Sequence, residues 1–287
     1  MSVSLNAEFA ARLDEVAQVL EEHGANPFRV TAYRRAANVL RGLREPVADI
    51  VSQRGLEGLD ALPGIGASLA RTIRELVRTG RVPMLDRLRG ESDPTELLQS
   101  VPGVGRVTAE RLHHDLGIDT LEDLEAAAHD GRLESVAGFG EKRLAAIRDT
   151  LAHRLGRIRR GTPSSGTPEP PVAELLDVDA EYRARASSGT LPTIAPRRLN
   201  PNHDRWLPVL HTTRGPRHYT ALFSNTPRAH ALGATRDWVI LYYDDGSGER
   251  QCTVVTAHHG PLEGRRIVRG RERECGGDEA ERPGHAG

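Results

Sequence analysis

Three short segments share the pattern apolar, any residue, Gly, apolar, Gly, and this internal repeat is the feature that most constrains the fold. They read LPGIG at 62–66, VPGVG at 101–105 and VAGFG at 136–140, with spacings of 39 and then 35 residues between their first glycines. Each lies between amphipathic stretches, which predicts that helices follow at 68–79, 107–116 and 141–155. Regular spacing of this size is typical of tandem structural units. The repeat therefore predicts an all-α array of helical hairpins over the first 160 residues.

The glycines of each hairpin make the turn suitable for contact with phosphate. Glycine permits positive φ and lets a ligand approach the backbone closely. The apolar residue between the glycines anchors the turn, while backbone N–H groups point outward at the positive end of the second helix. Such contacts hold a nucleic-acid backbone and ignore base identity. The predicted DNA-binding residues of the hairpins and the cations just after them are Gly64, Ile65, Gly66, Gly103, Val104, Gly105, Arg106, Gly138, Phe139, Gly140, Lys142 and Arg143.

The charge balance shows that any such binding must be local. The chain has 39 basic and 40 acidic residues, a formal net charge of −1. They divide into 23 basic and 24 acidic residues before residue 161 and 16 of each from there on, so neither part is basic as a whole. Two cysteines exclude a disulfide framework, and no apolar run is long enough to span a membrane. We expect a cytoplasmic, nucleoid-associated protein without a cofactor, a metal site or a signal peptide.

Composition divides the chain into parts. We predict a helical domain with the first hairpin at 1–90, the second and third hairpins at 91–160, and a Pro-rich flexible linker at 161–171. A β-rich domain follows at 172–275, with strands near 206–212, 219–223, 238–243, 252–257 and 265–268 and an entering helix at 173–186. Residues 276–287 read as a disordered tail. The predicted fold class is multidomain α+β, in which an all-α tandem helix-hairpin-helix array precedes a mostly antiparallel β domain.

Residues 5–155 resemble helix-hairpin-helix proteins and, more closely, the N-terminal lyase and fingers region of bacterial family X DNA polymerases. The matching stretches are NPFRVTAYRRAA at 26–37, LPGIG with ARTIRELVRTGR behind it, VPGVG with LGIDTLEDLEAAA, and AGFGEK at 137–142. The resemblance implies a helical array that holds the backbone of gapped, nicked or 5′-phosphorylated DNA. It also implies a 5′-phosphate pocket that here contains Arg29 and Tyr33, one helical turn apart, with Arg34 and Arg35 adding charge. The structural alternative is that Tyr33 belongs to the core.

Two catalytic functions of the family are not expected here. The lyase lysine of the family falls at Thr72, and a second basic position falls at Ser68. An imine needs an amine, and arginine stays protonated, so we predict that conventional lyase activity is absent. Lys142, the only lysine, lies in the third hairpin. The polymerase palm also needs a Gly-Ser element and paired aspartates on two metals, and Asp177-Val178-Asp179 reads instead as a helix-capping segment.

The β-rich part carries a second basic run. Arg265, Arg269 and Arg271 occupy odd positions, so a strand there would place them on one face. Polar residues near predicted strand ends leave a nuclease or repair hydrolase as an alternative, although no metal-ligand spacing marks one. The leading hypothesis is a non-sequence-specific, bacterial-type DNA-binding protein in DNA repair or maintenance, for which we predict no enzymatic activity. A scaffold for a repair-protein partner is a third hypothesis.

Overall fold

The computed structural model describes residues 2–90, 94–99, 101–118, 121–136, 138–154, 169–245 and 248–276. Before residue 155 the described chain is helical, as the hairpin repeat predicts. Its α-helices are α1 (Ser2–Glu22), α2 (Pro27–Gly42), α3 (Val47–Asp60), α4 (Ala67–Thr79), α5 (Pro83–Leu88), α6 (Pro94–Gln99), α7 (Arg106–Leu116), α8 (Leu121–His129) and α9 (Glu141–Arg154), with a 3₁₀ turn at Arg132–Ser135.

Local sequence explains where several helices begin and bend. Asn26 caps α2, since its side-chain oxygen accepts from the N–H of Phe28 at 2.9 Å, and Pro27 occupies the first turn. The sequence also predicts a third helix over 46–54, and α3 begins at Val47. Its regular helical backbone is interrupted at Gly55, where φ is 61° and ψ is −144°, and helical turns resume up to Asp60. The predicted end near Arg54 therefore coincides with a left-handed glycine that breaks the helix.

The later part of the chain forms a helix and a sheet. Helix α10 (Val172–Ser187) precedes six strands: β1 (Thr193–Ile194), β2 (Leu207–Arg214), β3 (Arg217–Phe223), β4 (Val239–Asp244), β5 (Arg250–Thr256) and β6 (Arg266–Val268). Short helices α11 (Pro227–Ala231) and α12 (Glu272–Cys275) follow β3 and β6. The strands lie in one sheet in sequence order, with antiparallel pairing such as Thr193 opposite Pro208 and Val254 opposite Val268. The prediction of a mostly antiparallel sheet after the helical array is confirmed.

The described chain divides into two compact units built from separate segments. The first contains residues 1–92, 185–221 and 242–249, and the second contains 93–184, 222–241 and 250–287. The domain boundaries read from the sequence therefore stay predictions. Most of the linker at 161–171, and the tail beyond 276, lie outside the described residues.

The second and third hairpins share one hydrophobic core in the second unit. Val104 and Phe139, the apolar residues of these two turns, both belong to it, together with Leu112, Ile118 and Ile147, which are fully buried. Because each hairpin turn inserts its central side chain into this common core, the positions of the two turns are fixed by packing.

Candidate nucleic-acid interface

The three hairpin turns share a left-handed first glycine. Its φ angle is 78° at Gly64, 91° at Gly103 and 97° at Gly138. The apolar residues that follow are buried, at 3%, 4% and 8% exposure for Ile65, Val104 and Phe139. The second glycines are exposed and directly precede α4, α7 and α9, at Gly66, Gly105 and Gly140. The repeat in sequence is therefore a repeat in structure.

The helices that follow the first two hairpins begin with backbone N–H groups that no side chain caps. Gly66 and Gly105 are the N-caps of α4 and α7, and neither helix has a side-chain cap or an acidic residue in its first turn. The first N–H groups of a helix have no partner within the helix and carry partial positive charge. Exposed glycines in front of them leave room for a phosphate oxygen.

The first hairpin is partly covered by other residues of its own unit. The side chain of Arg35 lies over Gly64, because a Cβ added to this glycine would stand 2.6 Å from the Arg35 Cδ. In the first turn of α4, the Ser68 hydroxyl donates to the carboxylate of Asp244, at the end of β4. A carboxylate near this helix end reduces its attraction for a phosphate. By this criterion the second hairpin is the strongest candidate for a DNA contact, since α7 has no acidic residue in its first turn whereas α9 has Glu141.

Arg143 joins the second and third hairpins. Its Nε donates to the carbonyl oxygen of Gly103 at 2.8 Å, and its Nη1 donates to that of Gly138 at 2.7 Å. Its Nη2 reaches the Gly103 oxygen as well, and the hydroxyl of Thr108 at 3.3 Å. The guanidinium carbon also lies 4.7 Å from the centre of the Phe139 ring. Sequence reasoning treated Arg143 only as added charge and missed this bridge.

Two further predicted cations are exposed beside these hairpins. Lys142 immediately precedes Arg143 and is exposed. Arg106 opens α7 with its side chain 80% exposed, and its Nε donates to Glu110 at 2.9 Å. An exposed pair of this kind contributes little stability and leaves the guanidinium accessible. Contact of these two side chains with phosphate stays a prediction.

The residues of the predicted phosphate pocket do not form one open site. Tyr33 is only 5% exposed, and burial raises the pKa of its hydroxyl, which hydrogen-bonds Thr72. Arg29 donates to the sulfur of Met84 at 3.1 Å, and Arg34 pairs with Glu21 at 2.5 Å. Tyr33 is thus a core residue, and a phosphate site at these positions stays a prediction.

The two positions that match basic family residues hold neutral side chains that bond to the protein. Thr72 donates to the carbonyl of Ser68 at 3.2 Å, and Ser68 in turn donates to Asp244. The hydroxyl groups therefore serve local structure. The expected loss of imine chemistry stays a prediction.

The arginine run of the sheet does not form the predicted row. Strand β6 ends at Val268, so the prediction that Arg265, Arg269 and Arg271 share one strand face is wrong. Arg269 lies above the Trp238 ring, 5.2 Å from its centre. Arg271 is nearly buried, donating to the carbonyl of Pro170 at 2.7 Å and pairing with Glu274. The alternation of arginines in the sequence did not predict the turn after Val268, where Gly270 has φ 82°. DNA binding by this patch stays a prediction.

An ion cluster in the second unit was missed. Asp177 lies inside α10, which begins at Val172, so the capping role predicted for it is wrong. Its neighbour Asp179 has a side chain that is 1% exposed and accepts two hydrogen bonds from Arg266, at 2.7 and 3.0 Å. Arg266 also donates to Asp237 at 2.6 Å. The pairing of residues 87 positions apart leaves no local signal in the sequence.

A histidine pair was missed in the first unit. The rings of His23 and His211 stack with centres 5.9 Å apart. His211 Nδ1 lies 3.0 Å from the hydroxyl of Thr220, while Nε2 is buried without a hydrogen-bond partner. Burial, together with the charges of Arg29, His23 and Arg87, lowers the pKa of His211 to about 3. The imidazole is therefore neutral in the folded protein at pH 7.

This histidine makes the protein less stable in mild acid. The unfolded chain takes up the proton below about pH 6.5, whereas the folded chain does not until near pH 3, so stability is full above pH 6.5 and falls as the pH drops. Between pH 7 and pH 5 this costs about 2 kcal/mol. Urea unfolding should show a smaller acid loss in His211→Gln. The exposed His258→Gln should behave as wild type, and equal acid losses in all three proteins would refute the assignment.

Among the described residues, no group of three or more His, Cys, Asp or Glu side chains is arranged to hold a metal ion. None of the helices in the described ranges is both long and apolar enough to cross a membrane.

Comparison with known proteins assigns the helical part to a class. Residues 4–82 match a family model described as a helix-hairpin-helix domain, and residues 95–152 match one described as a SAM-like helix-hairpin-helix tandem. This region of the chain is therefore a tandem helix-hairpin-helix array, and the predicted likeness to the polymerase-beta-like region is confirmed.

The curated relatives are family X polymerases. The chain is 32% identical over 132 residues to DNA polymerase/3′-5′ exonuclease PolX of Bacillus subtilis, covering 45% of this chain and 22% of the relative. It is 24% identical to DNA polymerase lambda of Rattus norvegicus, covering 44% and 21%, and 31% identical to DNA-directed DNA/RNA polymerase mu of Homo sapiens, covering 39% and 22%. The chain thus spans about a fifth of the length of these relatives.

Proposed function

We propose that this chain is a DNA-binding protein of DNA repair or maintenance that holds the phosphate backbone without reading sequence. The observation that carries the proposal is the repeated hairpin, in which exposed glycines precede an uncapped helix end. The likeness to DNA polymerases over 45% of the chain supports DNA as the ligand. A cytoplasmic, nucleoid-associated location in a bacterial-type cell and a repair-protein partner belong to the same proposal.

The second and third hairpins form the main contact in this proposal. They share a core, and Arg106, Lys142 and Arg143 lie beside them. Because the net charge of the chain is −1, these local cations and backbone amides supply the attraction rather than bulk charge. Gapped, nicked or 5′-phosphorylated DNA is the proposed substrate class. Arg29 and Arg35 are the candidates for an end phosphate, since Tyr33 is buried.

A binding titration over a series of salt concentrations tests this function. Neutralising about three phosphates predicts a slope of log K against log [salt] of roughly −3 on duplex DNA. The substrates are intact, nicked and gapped duplexes of two unrelated sequences, with the gapped one carrying either a 5′-phosphate or a 5′-hydroxyl. We expect equal affinity for both sequences. Affinity that does not change with salt would refute backbone binding. Equal affinity for gapped DNA with a 5′-phosphate and with a 5′-hydroxyl would refute only the recognition of an end phosphate.

A further inference from the structure

The contacts of Arg143 differ from those of a cation whose N–H donors are available to bind phosphate. Its guanidinium carries five N–H groups in a planar fork. The contacts run from Nε and Nη2 to the Gly103 carbonyl, from Nη1 to the Gly138 carbonyl, and from Nη2 to Thr108. Most of its donors are therefore engaged by the protein. The adjacent Lys142 is exposed.

The two carbonyls belong to equivalent points of two different hairpins. Gly103 and Gly138 are the first glycines of their turns, and both have left-handed φ. The packing is also close, because a Cβ on Gly138 would lie 3.2 Å from the Arg143 Nη1. One side chain thus fixes both turns at the residues that give them their shape.

Only a fork can make this bridge. A guanidinium directs several donors in one plane and can bond two carbonyls that face it from different turns. A lysine at the same position would keep the charge, but its single ammonium group cannot reproduce the planar fork. The Phe139 ring under the guanidinium further limits its orientation.

We propose that Arg143 is a positioning residue that holds the second and third hairpins at one fixed spacing, so that both present their amides to the same stretch of DNA backbone. This inference rests on the proposed function for its DNA part, whereas the bridge itself is a property of the free protein. It separates two adjacent cations by role, with Lys142 contacting phosphate and Arg143 setting the geometry of the turns.

Hydrogen–deuterium exchange of the full chain without DNA tests the bridge independently. In Arg143→Lys, we expect faster exchange of amides at 101–106 and 138–143, while the remaining amides of α7 and α9 keep wild-type rates. Lys142→Gln is the matched control and should leave both turns unchanged. Unchanged exchange in Arg143→Lys would overturn the bridge, and so would faster exchange spread evenly over the whole array, which would indicate a general role in folding.

Salt titration of DNA binding by the same proteins tests the positioning role. Arg143→Lys keeps the charge, so we expect about tenfold weaker binding at every salt concentration with the wild-type slope. Lys142→Gln should lower the slope by about one. Wild-type affinity of Arg143→Lys would overturn the positioning role. The role would also be overturned if Arg143→Gln showed the same loss of affinity and the same change of slope as Lys142→Gln. If wild type binds no DNA while exchange confirms the bridge, the proposed function fails and the bridge stands.

Discussion

Gly90→Ala should be among the most destabilising single changes in this protein, with an expected loss of at least about 3 kcal/mol. Gly90 has φ 73°, and an added Cβ would stand 2.3 Å from the carbonyl oxygen of Ala195 and 2.8 Å from the Cα of Pro196. The opposing chain cannot easily withdraw, because the N–H of Arg197 donates to the Gly90 carbonyl at 2.8 Å. Both a left-handed angle and a backbone collision therefore oppose the methyl group.

Gly80 provides a closely matched control for this prediction. It has the same φ of 73°, but nothing lies within 4 Å of an added Cβ. Gly80→Ala should therefore cost only the left-handed conformation, about 1 kcal/mol. Urea unfolding of the two variants and wild type measures the difference. Equal losses would show that the segment at 195–196 does not restrain Gly90.

The second large effect is expected at Arg266. Replacing it with methionine leaves the carboxylate of Asp179, which is 1% exposed, without its two charged hydrogen bonds, and removes the bond to Asp237 as well. Removing one partner of a buried ion pair typically costs 3–5 kcal/mol. We expect about that loss in the free energy of unfolding.

An exposed ion pair and a double variant make this prediction specific. Arg34→Met breaks a pair with Glu21 in which both side chains are about half exposed, and should cost less than about 1 kcal/mol. In the Arg266→Met protein, adding Asp179→Leu should recover part of the loss, because the buried charge is then gone. A loss at Arg266 no larger than that at Arg34, with no recovery in the double variant, would contradict the role of the cluster.

The features predicted correctly from the sequence are the local ones. A glycine pair with an apolar residue between them determines its own turn, and the helices at 67–79 and 106–116 begin within one residue of prediction. The alternating strands were also located to within two residues at their starts, because alternation of burial depends on neighbouring positions. Gly55 shows the limit, since the sequence predicts the end of the helix near Arg54 but not the helical turns that resume after this glycine.

The features that were missed depend on residues distant in the chain. Whether Tyr33 is buried depends on the elements packed around it, and Ser68 meets Asp244 across 176 positions. The hydrogen bonds of Arg143 to Gly103 likewise span 40 positions. An arginine after a glycine hairpin resembles any surface cation in sequence. Only the three-dimensional arrangement of its carbonyl partners indicates a bridge.

The most direct test of the central claim compares wild type with Gly103→Val/Gly138→Val in the salt titration on duplex DNA. Valine is strained at φ 91° and 97°, so both turns must change while every charge in the chain is kept. If the hairpins hold the DNA backbone, the variant should retain its helical content by circular dichroism yet bind at least about tenfold more weakly. Wild-type affinity and slope in a variant with altered turns would contradict the account.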